Sequence, residues 1–157
     1  MSIPVTRFEY VEIPIPSGST LRQFPFPDLP NLRNAKILSM ELFYNIDPNT
    51  NATYAPSGSQ TMGLSIMVNC YLTMYEGDLQ IVKDMPVVKL QHFTYNNVDD
   101  SIFSISTEKQ VAFNGPIISW NKSFVRFSRA LSETDVVVAF GITYLQPEDA
   151  GYNLIGR

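Results

Sequence analysis

Apolar and polar positions alternate with a period of two along most of this chain. In residues 38–46, Leu38, Met40, Leu42, Tyr44 and Ile46 share one parity, and Ser39, Glu41, Phe43 and Asn45 share the other. That period belongs to a half-buried strand, because successive side chains of a strand point to opposite faces. The longest run follows: Met62, Leu64, Ile66, Val68, Cys70, Leu72 and Met74 are all of one parity. A helix would scatter them around its circumference, so the pattern predicts one strand over 62–74. Residues 79–82 and 87–90 read as strands, separated or kinked at Asp84-Met85-Pro86. Residues 102–105, 110–113 and 123–127 read as short strands, the last with Val125 and Phe127 on one face and Phe124 and Arg126 on the other. Residues 135–145 close the series, with Val136, Val138, Phe140, Ile142 and Tyr144 aligned.

Turn chemistry separates these runs. Asp47-Pro48-Asn49, Ala55-Pro56-Ser57-Gly58, Glu76-Gly77-Asp78 and Asn114-Gly115-Pro116 supply fixed φ, left-handed φ or local side-chain hydrogen bonds. About eight strands, no helical period and no fixed repeat predict an all-β fold, an antiparallel β-sandwich. The loops are unequal in length, which fits a Greek-key or jelly-roll sandwich better than an up-and-down barrel, and a single jelly roll is the expectation.

Prolines divide the chain. Pro4, Pro14, Pro16, Pro25, Pro27 and Pro30 all lie in the first 30 residues. Proline lacks a ladder donor, so this stretch is expected to be an extended arm with one short strand over 7–13. The expected organisation is an N-terminal arm over 1–33, a sandwich domain over 34–145 and a C-terminal arm over 146–157.

Composition narrows the function classes. The 157 residues are 45% hydrophobic and 17% charged, against about 25% charged in an ordinary soluble domain. A real core is available. Eleven Lys and Arg against 15 Asp and Glu give a net charge of −4, which argues against a surface built to wrap nucleic acid. The N-terminus has no basic region followed by an apolar core, and no run nears the roughly 18 apolar residues of a membrane helix. The expectation is a protein made in a cytoplasm, with no membrane partner.

Candidate chemistry is sparse. His92 is the single histidine and Cys70 the single cysteine. That count excludes a disulfide framework and a metal centre built from His and Cys. No G-x-S-x-G elbow accompanies His92. Cys70 has core parity and reads as a small hydrophobe. Asp99-Asp100 and Glu148-Asp149 lie outside any calcium-loop pattern and read as solvated loop charge. Lys122, Arg126 and Arg129 beside Trp120 form the main basic cluster, and Lys122 and Arg126 share strand parity. The chain is expected to be no enzyme and to carry no cofactor and no metal.

Aromatic and sulfur-bearing side chains on the wrong parity are more informative. Phe43, Met67, Tyr71, Tyr75 and Phe124 oppose the expected core face. A sandwich buries one face of each sheet, so such residues need cover from an arm or from another chain. Phe8, Tyr10, Phe24, Phe26, Tyr71, Tyr75 and Trp120 are therefore the candidate interface residues.

Four segments carry a family resemblance. Leu32-Arg33-Asn34-Ala35-Lys36-Ile37 leads into the first long strand, and Ala55-Pro56-Ser57-Gly58 precedes the second. Trp120-Asn121-Lys122-Ser123-Phe124-Val125-Arg126-Phe127 comes late, and Ala139-Phe140-Gly141-Ile142-Thr143-Tyr144 closes the body. In this order, over residues 29–145, the chain resembles small virion structural proteins of bacteriophages, in particular phages of Bacteroidetes hosts. The resemblance implies a virion location and an auxiliary, decorating or minor coat role. Its implied partners are copies of itself and other capsid proteins, engaged through the arm. The alternative is a carbohydrate-binding sandwich for host-glycan adhesion, with Trp120 and tyrosines such as Tyr71, Tyr95 or Tyr152 as stacking platforms.

Overall fold

A computed structural model describes residues 5–16, 18–43, 60–61, 63–90, 94–95, 103–104, 111–131, 136–149 and 152–155. The strands are β1 (Arg7–Ile15), β2 (Gln23–Pro25), β3 (Lys36–Phe43), β4 (Gln60–Thr61), β5 (Cys70–Glu76), β6 (Leu79–Pro86), β7 (Thr94–Tyr95), β8 (Phe103–Ser104), β9 (Val111–Ala112), β10 (Phe124–Phe127) and β11 (Val136–Leu145). Among the described residues the one α-helical segment is a single turn, Leu64–Met67.

The fold is all-β, with two antiparallel sheets facing each other across one core. Sheet A runs β1-β11-β3-β9, with β4 added parallel to the start of β11. Sheet B runs β2-β10-β5-β6. Among the described residues, strands β7 and β8 pair only with each other. The pairings are nested in sequence: β1 with β11, β2 with β10, β3 with β9, β5 with β6. Successive nested pairs alternate between the sheets. Two further contacts, β11 with β3 and β10 with β5, join the pairs within each sheet.

The core follows from strand parity. Val11, Ile13 and Ile15 of β1, Met40 and Leu42 of β3, and Val136, Val138, Phe140, Ile142 and Tyr144 of β11 face inward from sheet A. Cys70, Leu72, Met74, Val125 and Phe127 meet them from sheet B, all fully buried. A buried Leu, Ile or Phe contributes roughly 1.5–3 kcal/mol of transfer free energy.

The expected strand over 62–74 is halved. The backbone N–H groups of Ile66 and Met67 donate to the Gly63 carbonyl, and the Asn69 N–H donates to Ile66. These bonds close a turn, and the strand begins only at Cys70. Met67, on the wrong parity for a strand, is fully buried because the turn swings it inward. Around Asp84 the chain is kinked and not separated: β6 is continuous through Pro86, and the strand expected over 87–90 is instead a 3-10 turn over Val87–Leu90. Asp84 absorbs the irregularity with a left-handed φ of 46°.

The separate N-terminal arm is also corrected. β1 pairs with β11 over nine consecutive residues, and β2 pairs with β10. Phe24, Phe26, Leu29 and Leu32 are buried in the core of their own chain. The prolines do not forbid this, because β1 and β2 are each the last strand of their sheet. An edge strand tolerates a missing N–H wherever that position faces away from its neighbour.

The C-terminal segment is likewise tied down through residue 152. Gln146 Nε2 donates to the Asn31 carbonyl at 2.6 Å, and Tyr152 Oη donates to Asn34 at 3.0 Å. Lys36, fully buried, donates to the Tyr152 carbonyl at 2.8 Å and lies 4.2 Å from the centre of its ring.

Candidate interaction surfaces

The Trp120 region is built by backbone bonds between the turn before β10 and the β5–β6 hairpin. Ser119 N–H donates to the Tyr75 carbonyl at 2.8 Å, and its Oγ accepts from Gly77 N–H at 2.9 Å. Ser123 Oγ accepts from Tyr75 N–H at 3.2 Å and donates to the Ser119 carbonyl at 3.0 Å. Two serines, one immediately on either side, thus fix the Trp120–Lys122 3-10 turn. Trp120 is driven inward, 6% exposed, with its ring edge-on to Phe26 at 5.0 Å. Its indole N–H is buried without an acceptor among the described residues. A cavity of about 580 Å³ opens beside it, lined by Phe26, Leu29, Arg33, Ile117 and Trp120 among others. Arg33 and Asp28 on its lining are paired with each other at 2.8 Å.

Sheet B's outer face is polar and paired. Arg126 lies 5.3 Å from the centre of the Tyr71 ring and binds Asp84 at 3.0 Å. Gln80 Nε2 donates to Tyr75 Oη at 3.1 Å, and Asp84 N–H donates to Thr73 Oγ1 at 3.3 Å. Lys122 binds Asp78 across the hairpin. Lys122 and Arg126, expected as a basic stripe, are neutralised by acidic residues of their own chain. Lys122 also lies in the turn, not on the strand.

Sheet A's outer face is a grid of three strands. Register places Phe8, Thr143 and Ser39 in one row, Tyr10, Gly141 and Glu41 in the next, and Glu12, Ala139 and Phe43 in a third. Gly141 at the centre has no side chain, and its neighbours close over it. A Cβ there would lie 2.7 Å from Phe8 Cε2, 2.7 Å from Glu41 Oε1 and 2.8 Å from Phe43 Cε2. Tyr10 and Phe43 pack at 5.5 Å and shelter Val137 and Ala139. Tyr10 Oη and Glu12 Oε1 are buried with no hydrogen-bond partner among the described residues. Burial, and secondarily the charge of Glu12, push the Tyr10 phenol up to about 12. Phe8 remains 54% exposed.

The candidate interface residues therefore separate. Phe8 and Tyr10 share one face and one edge strand. Tyr71 and Tyr75 are half-buried on the opposite sheet. Phe24, Phe26 and Trp120 belong to the core, so burial within their own chain removes them from an interface. Phe124 is half-buried beside Arg126. Gly141 and Glu41 complete the face of sheet A; the sequence signal for them was a glycine and a carboxylate inside strand patterns.

Among the chemical candidates, Cys70 is buried, and desolvation pushes its thiol up to about 12. A thiol so placed is protonated and inert at neutral pH. Asp149 is engaged by Arg7 at 2.9 Å and by the Gln146 N–H at 2.7 Å. These bonds hold its carboxyl below the ordinary value, the backbone bond first. His92, Asp99 and Asp100 lie outside the described residues, as does the side chain of Tyr95.

No protein-family model, curated protein or solved structure matches this chain.

Proposed function

We propose that the chain is a non-enzymatic structural protein of a virion, an auxiliary, decorating or minor coat component that assembles with copies of itself and with other shell proteins. The observation that carries this reading is the nested strand order. With β4, which lies parallel to β11, and the separate β7–β8 pair set aside, eight strands remain among the described residues. They pair first with last, second with seventh, third with sixth and fourth with fifth, and the pairs alternate between the two sheets. Strands paired in this nested order support the reading of a single jelly roll, the architecture of viral shell, lectin and cupin domains. Cupin chemistry uses a histidine-rich metal site, and this chain has one histidine. Between shell and lectin, the geometry favours the shell: Trp120 is packed into the core and only 6% exposed, which leaves little ring surface for stacking a sugar. The aromatic face of sheet A, with exposed Phe8 at its edge strand, supports assembly.

The test is sedimentation of the purified chain over a wide concentration range, with electron microscopy of any assembled fraction. Concentration-dependent oligomers or binding to shell particles support the reading. A chain that remains monomeric, ignores shell particles and binds a glycan array with loss in Tyr71→Ala supports the carbohydrate alternative.

A further inference from the structure

The four strands at the ends of the two sheets are unequal. β2 has three residues, ends at Pro25 and is followed by Pro27; β9 has two. β6 is long, but its pairing slips twice and it carries Asp84 with left-handed φ and a closing proline. Short length, prolines and irregularity are the usual protections of an edge against strand addition. β1 is different: nine residues, one unbroken register with β11, and no other neighbour in its sheet among the described residues.

Proline defines which backbone groups of β1 are open. Pro14 sits inside the ladder opposite Val137 with no break in register. A residue without an N–H fits there only if its nitrogen points away from β11. In an antiparallel ladder that orientation repeats every second residue. Phe8, Tyr10 and Glu12 therefore also turn their N–H and C=O groups to the open edge. The next strands agree. From Leu38 on, past the register shift, the same alternation turns odd-numbered residues of β3 toward β11 and even-numbered ones toward β9, and the Leu38 carbonyl accepts from Phe113 N–H at 2.7 Å.

We propose that the open edge of β1 pairs antiparallel with the β1 edge of a second copy, about a two-fold axis through Tyr10. This rests on the assembly reading above and gives it a surface. The register is self-complementary. Tyr10 meets Tyr10 of the second copy, and Phe8 meets Glu12 in both directions, giving three residue pairs that each exchange two backbone hydrogen bonds. Pro14 falls opposite Thr6, beyond the bonded stretch. The two Glu12 carboxylates stand apart, each opposite an aromatic ring rather than each other, which suits a chain of net charge −4. The exposed ring of Phe8 gains cover, and the two tyrosines form a cross-strand aromatic pair. The two A sheets become one continuous sheet.

Cysteine cross-linking reads this register directly, because the chain's own Cys70 is buried and inert. Paired Cα atoms about 5.5 Å apart fall within disulfide range. Under mild oxidation, full-length Tyr10→Cys should form a linked dimer on a non-reducing gel. Glu12→Cys alone should not, since its two copies lie about 13 Å apart along the strand; mixed with Phe8→Cys it should link. Glu12→Pro, which removes an outward donor as Pro14 already does, should weaken dimerisation about tenfold or more while circular dichroism remains native. Oligomers that form without the Tyr10→Cys link, or a Glu12→Cys homodimer, overturn this edge and leave assembly standing. A chain that stays monomeric at every concentration and on shell particles overturns both.

Discussion

The outer faces of the two sheets solve the same problem differently. On sheet B, half-buried Tyr71 and Tyr75 are finished with polar partners from the same chain: Arg126 over one ring, Gln80 on the other hydroxyl, Asp84 holding Arg126. On sheet A, rings close over a glycine, and buried polar atoms of Tyr10 and Glu12 have no partner among the described residues. Buried polar groups ordinarily find partners, and an unmade bond costs about 1–3 kcal/mol. A face finished with ion pairs is complete in water, whereas a face of rings and unmet polar atoms gains more from being covered. The difference separates a face complete in water from one that covering would complete, without reference to any ligand.

The largest test removes what both faces share. Deleting residues 1–28 takes away β1 and β2, and with them the buried Val11, Ile13, Ile15, Phe24 and Phe26. The truncated chain should lose its cooperative thermal transition by circular dichroism. A truncated chain that still melts cooperatively would restore the view of this segment as a separable arm.

Next is the centre of sheet A. Gly141→Ala places a methyl group within 2.8 Å of Phe8, Glu41 and Phe43, and should destabilise by about 1–3 kcal/mol, as overpacking does. Phe8 is the neighbour with room to move, so Gly141→Ala combined with Phe8→Ala should recover part of the loss in a denaturant titration.

The matching change on sheet B should be smaller. Arg126→Ala removes an ion pair whose side chains are 39% and 45% exposed, and solvent screening limits the cost to about 1 kcal/mol or less. The loss should shrink further at high salt, unlike that of Gly141→Ala.

The fastening of β1 by the C-terminal segment should depend on pH. Asp149 has its folded pKa depressed below the ordinary 3.8, first by the Gln146 N–H and then by Arg7. Its contribution is therefore present above the unfolded value and is lost as pH falls through the depressed folded value. The melting temperatures of the wild type and Asp149→Asn should differ steadily near neutrality and converge in acid below about pH 4.

The smallest effect is spectroscopic. Burial raises the Tyr10 phenol to about 12, so tyrosinate absorbance should show a late-titrating ring that Tyr10→Phe removes. Stability assigned to that neutral phenol is full below the unfolded pKa near 10 and disappears as pH rises through the folded value. An early-titrating Tyr10 would mean that the sheet A face is wetter than its packing indicates.

Strand parity made much of this legible in the sequence. Val136, Val138, Phe140, Ile142 and Tyr144 line the core as their alternation requires, and so do Val125 and Phe127. Parity failed at 64–69 because a regular alternation of apolar residues does not reveal whether a partner strand exists. There the chain closes local bonds onto Gly63 instead. Lys36 and Ile37, ahead of the alternating run, are both fully buried, because a register break between Thr143 and Tyr144 shifts the inward face of β3 at its start. The candidate surface was half legible. Phe8 and Tyr10 were marked as excess aromatics, while Phe24, Phe26 and Trp120 carried the same mark and proved to be core.

The amino-acid sequence by itself determined the class of structure, because period-two alternation and turn residues act within a few positions of each other. It also determined the inertness of the lone cysteine, through its place on an apolar face. Only the tertiary structure decided which strands lie at sheet edges, since pairing partners such as β1 and β11 come from opposite ends of the chain. That placement turned the N-terminal prolines from strand breakers into residues tolerated at an edge, and it turned Gly141 from a gap in a strand pattern into the floor of an aromatic face. Whether an aromatic side chain is core or surface depends on what the opposite sheet brings to it, and no local pattern contains that contact.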